Sequence, residues 1–498
     1  MANELPADAP PNSVPTLVKG LGLFSATALV MGSMIGSGIF IVPAEMTRVL
    51  GSPALLIAAW LITAVMTLIG ALSYGELAAM MPKAGGQYVY LREALGPLWG
   101  FLYGWTLFLV IQTGTIAAVG VAFGKFLGVF FPSISQTHWL VHIGNGNLGL
   151  NTANLAAIVI ITLLTFTNTR GVKTGAAVQN VFTSAKVLAL LGVIAVGLLA
   201  RNAAAIAANF GKGWRYFWAG ADYGTWHSVH IGADGPTVMV NVFIVLAIVQ
   251  VGSLFSSDAW NNVTFTAGEI QRPKRNLPLS LALGTGIVLF LYIACNFVYL
   301  SVLPLSGIQN ASQDRVATAV MQAAFGGVGA KLMAAAILVS TFGCANGMLM
   351  AGARVYYAMS RDGLFFRFAG ELDPKTDVPV KSLWLQWAWT CLLCLSGRYG
   401  DLLDYVIFAV LVFYVLTIGG LFRLRRTRPN AERPYRAFGY PVLPAIYIGM
   451  AVWICGVLLR YKPQYTWPGL ILVLLGVPVY LWQRRTTRSP KLPVAGNV

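Results

Sequence analysis

Gly32-Ser33-Met34-Ile35-Gly36-Ser37-Gly38 sets three glycines within seven residues, inside an apolar stretch that runs from Leu21 to Leu50. Glycine lets the backbone leave the helical path. The amide and carbonyl groups so exposed survive in an apolar medium only where they line a cavity or bind something. A second polar interruption, from Val251 through Gly252-Ser253-Leu254-Phe255-Ser256-Ser257-Asp258-Ala259-Trp260 to Asn261-Asn262, puts a carboxylate and a run of hydroxyl and amide groups into an equally apolar setting. Half-helix N-termini offer amides to an anion, and unwound carbonyls accept from a cation, so a zwitterion satisfies both. The third group is Lys186, in Ser184-Ala185-Lys186-Val187-Leu188, with apolar residues continuing beyond it. An ammonium at that depth costs on the order of 3 kcal/mol to insert, so it faces a cavity or a partner; the alternative is a lysine that snorkels to the surface. For the glycine run the alternative is a close helix contact, since Gly32 and Gly36 also fit small-xxx-small packing.

The elements that must position these groups follow from length and hydropathy. An unbroken helix over Leu21 to Leu50 would rise roughly 45 Å, against about 30 Å of hydrocarbon, so this span is broken. With 57% hydrophobic and only 10% charged residues over 498 positions, the chain reads as a polytopic helical membrane protein. Twelve spans are predicted, at about 21–49, 54–81, 97–125, 154–168, 175–200, 236–268, 279–303, 330–360, 382–397, 402–422, 441–460 and 466–483. The formal charge of +17 suggests nucleic acid until its distribution is read. With a cytoplasmic N-terminus, about twenty-two Lys and Arg fall in inside loops and tails and about ten outside, leaving Lys186 and Arg354 in or near the membrane. The run Arg423, Arg425, Arg426, Arg428, Arg433 and Arg436 simply follows a span and is read as topology.

The first twenty residues carry no apolar core and read as a disordered cytoplasmic tail rather than a cleaved signal peptide. Cys295, Cys344, Cys391, Cys394 and Cys455 all lie in apolar spans, so no disulfide framework follows. His138, His142, His227 and His230 fall in outside loops, so no zinc site is expected, and no cofactor. Walker, HExxH and GxSxG signatures are absent, which weakens an enzyme reading. The outside loop from Arg201 to Pro236 holds Trp214, Tyr216, Phe217, Trp218, Tyr223 and Trp226 and reads as an interfacial cap.

Breaks in spans one and six occupy corresponding places in two halves, the signature of a carrier built from inverted five-helix repeats with its substrate near the midplane. At these residues the chain resembles the amino acid, polyamine and organocation transporter superfamily, in particular the L-type amino acid transporters and their bacterial relatives. The likeness runs almost end to end. It includes Met31 to Phe40, Tyr74-Gly75-Glu76-Leu77, Pro82 to Tyr88, Trp260-Asn261-Asn262, Arg275-Asn276-Leu277-Pro278, Arg361-Asp362-Gly363, Arg433-Pro434-Tyr435 and Pro441-Val442-Leu443-Pro444. The resemblance implies an all-α membrane protein with a LeuT-like 5+5 inverted repeat. Residues 21–200 would form the first repeat, 201–235 the outside loop, 236–422 the second repeat, and 423–498 the last two helices with a cytoplasmic tail. It implies that the amides of Ile35, Gly36, Ser37 and Gly38 receive a substrate carboxylate. The carbonyls of Met34 and Ile35, with those near Phe255 and Ser256, would take the α-amino group. Phe255 stands where relatives carry an aromatic gate; read without the family it is an ordinary packing residue. Sodium-independent members carry a lysine at the place of Lys186 that occupies a coupling-cation position, and the same residue could exchange a proton.

Asp258 has three readings: it answers a half-helix dipole, caps the second segment of span six, or presents a carboxylate to a cationic side chain. Ser256 and Ser257 are small beside the gate, which leaves room for medium to large neutral side chains. Glu45 and Glu76 read as helix-end residues. Where many relatives have Thr-Glu-Glu, this chain has Ala267-Gly268-Glu269, which puts their cytoplasmic gate network in doubt. Animal L-type transporters bind an ancillary glycoprotein through a cysteine after the third span; none lies between Lys125 and Thr165, so no disulfide-linked partner is expected. The expectation is a carrier of neutral and possibly cationic amino acids, in a prokaryotic plasma (inner) membrane. The alternatives are a polyamine or other organocation carrier and an ion channel.

Overall fold

Proline and glycine punctuate the apolar runs into helices. The computed structural model describes residues 19–142, 148–211, 227–230, 237–395 and 399–486. The tail at 1–18 and the aromatic loop residues from Trp214 to Trp226 lie outside the described residues. The first span is two helices, α1 (Leu23–Met34) and α2 (Gly38–Leu50), and Gly51 ends α2 at φ +62°, a conformation that suits glycine. Proline at the first helical position starts α3 (Pro53–Met80) and α5 (Pro97–Leu127), where a missing N–H costs nothing. Between them lies α4 (Gln87–Leu95), a short helix. Within α5 one turn widens to a π-helix at Leu107–Ile111.

Two short hairpins interrupt the helical plan, β1 (Trp139–His142) with β2 (Gly149–Asn151), and β3 (His227–His230) with β4 (Thr237–Val240). Each leads straight into a helix capped by asparagine. Asn151 Oδ1 accepts from Asn154 N–H at 2.8 Å to start α6 (Thr152–Asn168), and Asn241 Oδ1 accepts from Ile244 N–H at 3.1 Å to start α9 (Val242–Ser256). The sixth span, expected to begin at 236, therefore begins with a strand. Between the hairpins run α7 (Val172–Leu199) and α8 (Ala203–Phe210). After the second break only one turn, α10 (Asn262–Phe265), follows.

The remaining helices are α11 (Pro273–Val302), α12 (Leu305–Gln309), α13 (Val316–Arg361), α14 (Val380–Leu393), α15 (Tyr399–Thr427), α16 (Val442–Tyr461) and α17 (Pro463–Thr486). The eighth span, expected from 330, is continuous in α13 with an earlier segment, and a kink at Phe325 and Gly326 (φ +60°) divides them. Among the described residues nine helices, counting α1 and α2 together, are long and apolar enough to cross a membrane, and α6 and α9 are shorter apolar helices. The molecule is a multi-pass helical membrane protein. At its centre α11 packs on α3 and α1, α13 on α7 and α5, and α9 on α2.

Charged groups pin one end of this bundle. Glu76, fully buried near the end of α3, accepts from Arg425 Nε at 3.0 Å and Nη2 at 2.6 Å and from the Ala437 N–H at 2.7 Å, and Arg433 Nε lies 3.3 Å away. Two members of the arginine run thus hold the segment after α15 against α3, beyond any role in topology. Removing one partner of a buried pair strands the other charge, at about 3 kcal/mol. Glu76→Gln is expected to lower the thermal midpoint in detergent by several degrees. Lys274→Ala, which breaks an exposed pair with Glu432, is expected to leave it unmoved. Equal midpoints for the two variants would remove Glu76 as a pin.

Candidate functional site

The backbone leaves the helix at Ile35 (φ −75°, ψ 88°) and re-enters it at Gly38. Every carbonyl from Gly32 to Gly36 meets a side chain from another helix. Lys186 Nζ, on α7 and fully buried, donates to Gly32 O at 2.6 Å, Ile35 O at 2.8 Å and Ser340 O at 3.2 Å. Ser340 Oγ donates to Ile35 O and Gly36 O, both at 3.1 Å. Cys344 Sγ contacts Ser33 O at 3.1 Å. Tyr292 OH donates to Met34 O at 3.0 Å, which also accepts from the Gly36 N–H at 2.9 Å. An ammonium carries three donors and no acceptor, so Lys186 is matched to three converging carbonyls as a bound cation would be. Both lone pairs of Met34 O and of Ile35 O are used in this state.

The amides of the break are turned inward along the chain, Ile35 N–H donating to Met31 O and Gly36 N–H to Met34 O, both at 2.9 Å, and Phe40 N–H to Ser37 O at 3.1 Å. The first N–H groups of any helix lack intrahelical acceptors, and α2 starts at Gly38, with Ser37 buried at its cap. Two of the glycines sit at close contacts between helices. A Cβ on Gly32 would lie 1.8 Å from Gln179 Nε2 and 2.4 Å from Thr183 Oγ1, so Gly32 admits α7 against α1. A Cβ on Gly38 would lie 2.2 Å from Ser256 Oγ, so the two breaks touch there.

At the second break α9 ends at Ser256, whose Oγ donates to Gly252 O at 2.8 Å, and Ala259 takes φ +64°. Asp258 is buried and accepts from Tyr414 OH at 2.6 Å. The Tyr414 ring packs with Trp260 and Tyr74 at centroid distances of 5.2 and 5.6 Å. Asp258 borders two narrow clefts. The first lies toward α5 and α13 and is lined by Gln112, Thr115, Asn262 and Met348; the second lies toward α3 and α16 and is lined by Thr67, Ser257 and Tyr447. Asn262 Nδ2 and Ser257 Oγ are buried there without a hydrogen-bond partner. Phe255 is buried and lines neither cleft, and Met34 to Gly38 lie outside both.

Sequence reasoning did not single out Tyr292, Ser340, Cys344 or Tyr414, which are ordinary residues of apolar helices until their partners are known. Glu269 and Arg354 were visible only as separate charges. They form a fully buried pair, with Arg354 Nη2 and Nε at 3.0 and 3.2 Å from Glu269 Oε1. Beside it Leu21 N–H donates to Glu269 O and Gln271 N–H to Leu21 O, tying the residues just before α1 to the end of the second break.

Two helices broken side by side, with polar backbone held off the lipid by buried side chains, define a membrane solute carrier. Residues 21–479 match the family model described as amino acid permease, and the chain belongs to that family. It is 30% identical over 480 residues to the large neutral amino acids transporter small subunit 2 of Oryctolagus cuniculus, covering 94% of this chain and 82% of that one. It is 28% identical over 475 residues to the serine/threonine exchanger SteT of Bacillus subtilis, covering 95% and 98%. The b(0,+)-type amino acid transporter 1 of Oryctolagus cuniculus is 29% identical over 430 residues, covering 84% and 79%. The protein is a permease and not an enzyme.

Proposed function

We propose that this permease moves neutral and cationic L-amino acids without sodium, as an exchanger or with protons, by alternating access across twelve spans in two inverted five-helix repeats. The observation that carries the reading is the contact of Gly38 with Ser256 beside a lysine ammonium that occupies the carbonyls of the first break. The substrate carboxylate would sit on the amides of Ile35 to Gly38, drawing the Ile35 N–H from Met31 O and the Gly36 N–H from Met34 O. Its ammonium would take carbonyls of Met34, Ile35, Phe255 and Ser256, displacing Tyr292 or Ser340, and Phe255 would close over it. The relatives named as an amino acid transporter subunit and as a serine/threonine exchanger support exchange of small zwitterions. A plasma (inner) membrane setting with both termini cytoplasmic agrees with the lysine and arginine distribution. The loop between α5 and α6 holds no cysteine, which favours a chain working without a disulfide-linked partner.

The two-pole site is tested by competition. An amino acid should block uptake of its labelled form, whereas its methyl ester and its decarboxylated amine should compete at least tenfold more weakly, because each lacks the group that one pole binds. Equal competition by all three compounds would eliminate the two-pole site.

A further inference from the structure

The chain between α13 and α14 turns back into the bundle before it leaves it. The Phe365 ring packs against Tyr356 of α13 at 5.6 Å and against Phe108 of α5 at 5.5 Å, and Phe108 stacks on Trp389 of α14 at 6.1 Å. Phe108 and Trp389 lie roughly 13–16 Å along their helices from the starts at Pro97 and Val380, so Phe365 is seated among the spans. Phe366 then faces outward. It meets Phe365 edge-on at 5.0 Å and stacks on Phe368 at 5.6 Å, and the two are 55% and 40% exposed. Ser360 Oγ donates to Phe366 O at 2.7 Å and to Arg367 O at 3.1 Å, and Ser382 Oγ of α14 donates to Ala369 O at 2.9 Å, so the turn is braced from both helices. Trp384, one turn into α14 and also exposed, marks the headgroup level there.

The same bonds bring Arg361, next to Ser360, beside Arg367. Both arginines are exposed, and among the described residues neither side chain has an ion pair or a hydrogen bond. The carboxylates nearest them in sequence are taken, Asp362 by Arg92 and Tyr88 and Glu371 by Lys381. A guanidinium binds phosphate through paired N–H donors; a headgroup with its own ammonium offsets part of that attraction, and an anionic one does not. A soluble phosphate would use the arginines and leave the phenyl rings uncovered, whereas a lipid covers both.

We propose that the turn from Arg361 to Phe368 binds an anionic phospholipid, its phosphate on Arg361 and Arg367 and an acyl chain along Phe366 and Phe368. The site goes beyond the amino acid reading and does not depend on it.

Native mass spectrometry of the delipidated full chain in detergent, titrated with phosphatidylglycerol or with phosphatidylcholine of the same acyl chains, tests the site. The wild-type protein should hold phosphatidylglycerol at a concentration about fivefold lower than it needs to hold phosphatidylcholine. Arg361→Gln together with Arg367→Gln should bring the two lipids to parity while the thermal midpoint stays at the parental value, because neither guanidinium has a partner to lose. Phe366→Ser together with Phe368→Ser should weaken both lipids. Arg423→Gln together with Arg426→Gln, which removes two exposed arginines elsewhere, should keep the preference. Glycerol phosphate should not displace the lipid. Equal retention of the two lipids by the wild type would overturn the proposal without any variant and leave the amino acid reading untouched. A preference that survives loss of Arg361 and Arg367 would also overturn it, as would one lost equally with Arg423 and Arg426, since net charge would then suffice. Displacement by glycerol phosphate would assign the arginines to a soluble phosphate and overturn the lipid.

Discussion

Lys186→Ala is expected to reduce amino acid uptake by about tenfold or more while the protein remains folded in detergent. The substitution removes the donor of Gly32 O entirely and leaves Ile35 O with Ser340 alone. A buried carbonyl stranded in this way costs about 1–3 kcal/mol, and it does so at the place where the first span must stay unwound. Lys186→Met separates charge from packing, since it keeps the stem and removes the ammonium. It should fail as alanine does if the charge matters, and recover if only volume does. Arginine is not a conservative change here. Its planar fork cannot set three donors where one ammonium meets three converging carbonyls. Sodium should rescue none of these variants. Wild-type rates in Lys186→Ala protein would remove the lysine from the site.

Gly38→Ala should abolish transport. The added methyl would lie 2.2 Å from Ser256 Oγ, 2.7 Å from its Cβ and 2.9 Å from its Cα, so relief requires moving the backbone of the second break. Overpacking of this kind typically costs 1–3 kcal/mol, and here it separates the two half-helices that form the proposed site. Ser256→Gly in the same chain removes the two nearer obstacles and should restore part of the uptake. Gly286→Ala is the control, because nothing lies within 4 Å of its new methyl. Its uptake should match the parent. Gly38→Ala transporting at the parental rate would show that the breaks need not touch.

What could be read in the sequence was local. The glycine run between Met31 and Phe40 and the polar run between Gly252 and Asn262 marked both breaks, because departure from a helix is written in the residues that depart. Lys186 was legible for the same reason, as a charge with apolar neighbours on both sides. The partners were not legible. Tyr292 and Ser340 reach Met34 and Ile35 across 258 and 305 positions, and Arg425 reaches Glu76 across 349. Helices apolar on every face carry no stripe to say which side meets a neighbour. β1, β2 and β3 were missed because they lie in stretches read as loops and β4 because it opens the stretch read as span six, and the start of α9 moved to Val242 because an asparagine cap outranks hydropathy at a helix end. Asp258 kept three sequence readings. Its hydrogen bond from Tyr414 and its place between two clefts are tertiary facts.

The central claim, that the joined breaks form a sodium-independent amino acid site, is tested most directly by uptake into proteoliposomes in sodium-free buffer, with a panel of labelled L- and D-amino acids and with or without amino acid inside. The expected result is saturable, L-selective uptake that replacing sodium does not change. Uptake that is linear in concentration, indifferent to stereochemistry, or lost without sodium would contradict it.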